Sequence, residues 1–194
     1  MSEAVAVETQ ASRWTPGKVG TQCLIMSETT FFSIFIVAYL FYTGKSLNGP
    51  YPVDVLHLPV FATVCLLSSS ATVVLAVKFL EKGRRWPFML SLLVTALLGG
   101  AFLGFTAIEW YGLIFEHGLT IGTNLFGTTF YSLVGFHAAH VTIGVLIMVL
   151  ILALGLGGHV RAEHSERVDM FSWYWHFVDV VWLFVLTVVY VLGV

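Results

Sequence analysis

An apolar run over residues 171–193, long enough to sit in hydrocarbon, carries a histidine and an aspartate in its first half. They lie within Trp173-Tyr174-Trp175-His176-Phe177-Val178-Asp179. His176 and Asp179 are three apart, which on a helix puts them on one face. An aspartate near the middle of a bilayer costs about 2.5–3.5 kcal/mol on insertion scales, so it persists there only when paired or functional. Whatever else the chain does, it has to build something polar for that face to meet.

Hydrocarbon is the right solvent to assume. The 194 residues are 58% hydrophobic and 10% charged, whereas a water-soluble domain carries about 25% charge. Crossing the hydrocarbon core takes about 20 apolar residues, and five runs qualify: 19–42, 57–80, 88–111, 127–156 and 171–193. The segments between them hold Pro, Gly and charge and read as loops, among them Asn48-Gly49-Pro50. The expectation is an all-α integral membrane protein with a polar tail over 1–18 and one five-helix domain over 19–194. Short alternating strands of a β-barrel are absent from the pattern. The polar tail, with Glu3 and Glu8, lacks the basic start and apolar centre of a signal peptide.

Basic residues set the expected orientation. All but Lys45 of the nine Lys and Arg residues fall in the tail, the second loop or the fourth loop, which alternate onto one side. This places the N-terminus in the cytoplasm and the C-terminus outside. A formal net charge of −2 offers nothing to nucleic acid. Cys23 and Cys65 sit in apolar runs without metal-ligand spacing and read as small core residues.

Few ionisable residues remain inside the spans. Glu28 lies nine residues into the first, roughly 14 Å deep, with Phe31, Phe32 and Phe35 as a dry wall. It is either a proton-exchanging or gating carboxyl, or a protonated or hydrogen-bonded acid that locks two helices together. His137 and His140 form an HxxH pair on the fourth span, and such a pair needs further ligands to hold a metal. Counting from the loops puts His176 and Asp179 in the inner half of the bilayer and His137 in the outer half. The expectation is an interhelical hydrogen-bond framework, with no metal site and no catalytic residue. Glu109, with Trp110 and Tyr111, reads as the end of the third span in an interfacial aromatic belt. Ser68-Ser69-Ser70, Gly99-Gly100, Gly104, Gly135 and Gly144 read as close-packing positions.

Taken together, these segments resemble subunit III of haem-copper oxidases. The resemblance rests on Tyr174-Trp175-His176-Phe177-Val178-Asp179-Val180-Val181-Trp182 as the aromatic signature. Ser27-Glu28 with Phe31-Phe32, Glu109-Trp110-Tyr111, and Gly135-Phe136-His137 with His140-Val141 and Gly144 add to it in the same order. Ala62-Thr63, Val77-Lys78 and Ala138 depart from the family pattern. The resemblance implies two helix bundles around a V-shaped cleft that holds phospholipids. It implies no haem or copper in this chain, those cofactors belonging to partner subunits I and II, and direct packing on subunit I. It makes Glu28 the buried carboxyl near a suggested oxygen entry, and His137, His140, His176, Asp179 and Glu109 framework residues. The related accessory subunit of a nitric oxide reductase is the alternative. An independent channel or transporter would call for a polar path and broken or repeated helices, and here the acids are isolated.

Overall fold

The computed structural model describes residues 15–193, and all regular structure among them is helical. Most of the polar tail, including Glu3, Glu8 and Arg13, lies outside the described residues. Helix α1 is Pro16–Tyr42. A single turn, α2, follows at Pro52–Val55. Helices α3 (Val60–Glu81), α4 (Arg85–Phe115) and α5 (Leu125–Leu156) come next. A 3₁₀ turn at Ala162–His164 leads into α6, Ser165–Val185, which continues as a π-helical segment over Leu186–Val191. Five of these helices are long and apolar enough to cross a membrane.

The helix ends have local causes. Thr15 accepts the Lys18 N–H at 3.4 Å and Pro16 takes the first helical position, so α1 starts three residues before the apolar run does. Asn124 caps α5 through the Gly127 N–H at 2.8 Å. Helices α3 and α5 both stop at a left-handed glycine, Gly83 (φ 68°) and Gly158 (φ 78°). In each case the following N–H reaches back to a carbonyl of the last turn, Arg84 to Phe79 at 2.9 Å and His159 to Leu154 at 3.0 Å. Helix α4 runs to Phe115, four residues past the expected end, because nothing from Gly112 to Phe115 breaks it.

Helix α6 is the inner element. Half of its span is buried within the bundle, 50%, against 11% for α1. It packs on α1, α3 and α5, while α3 and α4 form the most extensive pair. The Trp175 ring, fully buried, occupies space that two glycines leave open. A Cβ on Gly99 of α4 would lie 2.9 Å from its Cη2, and one on Gly144 of α5 2.5 Å from its Cζ3. The small residues thus serve one large side chain as much as backbone-to-backbone approach.

Outside, the bundle is clad in Met26, Ile34, Phe61, Leu97, Ile108 and Leu146. A surface this apolar on a body this size fits hydrocarbon rather than water. Cys23 is exposed and Cys65 half-buried, so neither is the core residue the sequence suggests.

Replacing Gly144 by alanine should overpack Trp175 and lower stability by about 1–3 kcal/mol. The expected readout is a lower unfolding midpoint in detergent. Gly100→Ala, whose Cβ would meet nothing within 4 Å, should leave that midpoint in place.

Candidate functional site

The face of α6 that carries the signature meets α3 through a series of hydroxyls. Trp175 Nε1 donates to Ser69 Oγ at 2.8 Å and Trp182 Nε1 donates to Thr63 Oγ1 at 3.1 Å. Between them, His176 Nδ1 lies 2.9 Å from Ser70 Oγ, and the Ser70 hydroxyl donates to Asp179 Oδ2. With its own proton given to the carboxylate, Ser70 accepts from His176 Nδ1–H. The three groups therefore form one directed chain, His176 to Ser70 to Asp179. A serine whose proton is already committed in this way is the reverse of a nucleophile activated by a base. Asp179 is 3% exposed, and its Oδ1 has no partner among the described residues. The expected common face for His176 and Asp179 is therefore real, and Ser70 is what it meets. The sequence reads Ser68-Ser69-Ser70 as close-packing positions, whereas the structure uses the Ser69 and Ser70 hydroxyls to meet Trp175, His176 and Asp179.

On the other side of α6, a second pair joins α1 to α5. Glu28 Oε2 lies 3.1 Å from His140 Nε2. His140 Nδ1 lies 2.8 Å from the Phe136 carbonyl oxygen. A carbonyl can only accept, so Nδ1 carries a proton, and one further proton is shared between Nε2 and the Glu28 carboxyl. Either a protonated Glu28 donates to a neutral imidazole or a carboxylate accepts from an imidazolium. Phe32 packs on His140 with ring centroids 5.1 Å apart and on Phe136 at 4.8 Å. Phe35 packs on Phe136 at 5.0 Å. Phe31, expected in the same wall, faces outward with 54% of its surface exposed.

The two histidines of the HxxH pair part company. His137 is fully buried, stacked on Trp182 at 5.1 Å and edge-on to Phe102 at 5.6 Å, with neither ring nitrogen hydrogen-bonded among the described residues. Tyr174, two residues before His176, donates its hydroxyl to the His140 carbonyl at 3.0 Å. His140 and His176 are kept apart by their partners: His140, on α5, pairs with Glu28 of α1, and His176, on α6, pairs with Ser70 of α3. Among the described residues no group of three or more His, Cys, Asp or Glu side chains is placed to share a metal.

Glu109 departs most from expectation. With α4 running on to Phe115 it lies within the helix rather than at its end, and it is half-buried. Tyr190, in the π-helical segment, donates to Glu109 Oε2 at 3.1 Å. Glu109 Oε1, Trp110 Nε1 and the Tyr39 hydroxyl are buried there without partners among the described residues. Trp110 packs edge-on against Tyr131 at 5.2 Å. Of the expected interfacial belt only Tyr111 is exposed, at 62%. The signal available earlier was the acid itself, since a carboxyl amid aromatic residues asks for a donor and Tyr190 is the phenol on the facing helix.

Comparison with known proteins bears on this arrangement. The family model for "Cytochrome c oxidase subunit III" matches residues 9–194. The chain is similar to "Cytochrome c oxidase subunit 3" of Alkalihalophilus pseudofirmus, 36% identical over 169 residues that cover 86% of this chain and 82% of that protein. It is also similar to the proteins of that name in Bacillus sp. (strain PS3) and Branchiostoma lanceolatum. The first is 33% identical over 177 residues, 90% of this chain and 85% of the relative. The second is 34% identical over 181 residues, 88% of this chain and 67% of the relative.

Asp179→Asn keeps an acceptor for the Ser70 hydroxyl, whereas Asp179→Leu leaves both Ser70 and His176 without their chain. The leucine variant should be less stable than the asparagine variant by about 1–3 kcal/mol. Thermal melts of the two in the same detergent measure the difference, and equal midpoints would contradict the Ser70 bridge.

Proposed function

The chain belongs to the cytochrome c oxidase subunit III family, and from that premise we propose that it is the non-redox accessory subunit of a respiratory terminal oxidase. Membership implies a multisubunit complex and a multi-pass membrane protein. The finer reading is that it packs directly on subunit I, with subunit II nearby, in the cytoplasmic membrane of a prokaryote. Its N-terminus would lie on the cytoplasmic side. Haem and copper would sit in those partners, where oxygen is reduced to water and protons are moved. This chain would supply stability, bound phospholipid in a V-shaped cleft, and support for proton or oxygen access.

The observation that carries the accessory reading is how the polar side chains of the spans are used. Glu28 is taken by His140, Asp179 and His176 by Ser70, and Glu109 by Tyr190. Each pair ties one helix to another, which is what a rigid support requires. A transport path would need such groups to be connected, and the three clusters face three different helices. The oxidase names of the relatives favour this partner over a nitric oxide reductase. Purification through this chain in mild detergent tests the reading: haem a or o and copper should co-migrate with it. A haem-free and copper-free isolate with transport activity would overturn it.

Glu28 is the group we assign to proton or oxygen access, because it alone of the three acids shares a proton with a histidine. Glu28→Gln keeps a hydrogen bond to His140, so the complex should assemble with near-normal yield. Its oxygen consumption should decline faster during turnover than that of the unaltered complex. Failure of the variant to assemble would leave Glu28 with a structural role alone.

A further inference from the structure

The end of the bundle that carries Lys78, Lys82, Arg84, Arg85, Arg161 and Arg167 holds a pocket of about 380 Å³. It lies between the turn joining α3 to α4 and the loop joining α5 to α6, and is lined by Leu80, Gly83, Arg85, Gly158, Val160 and Arg161. Its charge is one-sided. No acid lines it, and among the described residues neither Arg85 nor Arg161 has a carboxylate at ion-pair distance; the lysine that does, Lys18, pairs with Glu166 at 3.4 Å.

One guanidinium is fixed in place. Arg85 Nη2 donates to the Gly155 carbonyl at 2.5 Å and to the Leu156 carbonyl at 2.9 Å. These bonds satisfy the last turn of α5 and offset its negative dipole end, so α5 does not repel an anion from the pocket. They also hold Arg85 at the wall with its remaining N–H groups available. Gly83 and Arg85 flank the start of α4, a 31-residue helix whose first turn no side chain caps. The positive end of its dipole adds to the same field. Gly83 and Gly158 are both in the left-handed region and contribute no side chain, so the arginines are reached from the open side. Next to Arg85, Trp86 is 77% exposed. An exposed tryptophan at the end of a spanning helix marks the headgroup level. Leu80 and Val160 make the rest of the wall apolar.

We propose that this pocket binds a phosphate group, and that the group belongs to an anionic lipid of the adjacent leaflet. Two guanidiniums match phosphate geometry through paired N–H donors. The apolar wall and the Trp86 level fit a phosphodiester carried on acyl chains. Basic pockets between spanning helices are recurrent sites for anionic headgroups. This site is separate from the three clusters within the bundle, and its test rests on the proposed function only in using the oxidase complex.

The test uses the intact complex, delipidated in detergent and titrated with phosphatidylglycerol or phosphatidylcholine, with bound lipid counted by native mass spectrometry. The unaltered complex should take phosphatidylglycerol in preference. Arg161→Gln, at an exposed loop position, should weaken the tightest such binding about tenfold. Lys45→Gln, at the opposite end of the bundle, should not change it. Arg85→Gln should weaken it too, although that variant also frees the end of α5. Unchanged phosphatidylglycerol binding in Arg161→Gln, or equal binding of the two lipids by the unaltered complex, overturns the proposal. Inorganic phosphate provides the second arm. If it displaces phosphatidylglycerol at millimolar concentration, the site serves soluble phosphate and the lipid assignment fails; if it does not, the lipid assignment stands.

Discussion

Hydrocarbon offers a polar side chain no partner, so every polar group within a span must find one in the protein or stay costly. Helix α6 takes on most of that constraint here. Its Trp175 and Trp182 indoles, His176 Nδ1 and Asp179 Oδ2 meet the hydroxyls of Ser69, Thr63 and Ser70 on α3. Its phenols turn the other way, Tyr174 to the backbone of α5 and Tyr190 to Glu109 on α4. Packing follows from the same helix, since Trp175 can be buried only because Gly99 and Gly144 leave room for it. Hydrogen bonding therefore sets which residues of α6 face which neighbour, and steric fit sets how close those neighbours come.

The architecture was legible from very little. Five apolar runs of sufficient length, separated by turn residues, forced five spanning helices. The helix ends were less so, and for local reasons. Thr15 capping is invisible to hydropathy, and the region from Gly112 to Phe115 looks like a loop only if an aromatic belt is assumed to end the helix. The site was half legible. That His176 and Asp179 share a face follows from their spacing, and that an acid at the depth of Glu28 needs a partner follows from the solvent. Which partner could not be read, because the pairs join residues far apart in sequence.

What keeps His140 and His176 apart is the neighbour each meets, Glu28 of α1 for the one and Ser70 of α3 for the other, which no single-helix count contains. His137 is the complementary case. It was grouped with His140 by spacing, yet an aromatic cage of Phe102 and Trp182 holds it away from any hydrogen-bonding group among the described residues.

The attachment of α1 carries a consequence for biogenesis. This helix is made before the other four, yet among the described residues its polar side-chain contacts to other helices are with residues made late: Glu28 with His140, 112 positions on, and Thr15 with Glu166, 151 positions on. Ribosomes add roughly 5–20 residues per second. For many seconds, then, a newly inserted α1 holds a carboxyl in the bilayer with nothing of its own chain to bind. Its release from the insertion machinery and its capture by α5 and α6 are separated in time, so α1 is inserted ahead of the other four spans and yet is among the last of them to be secured.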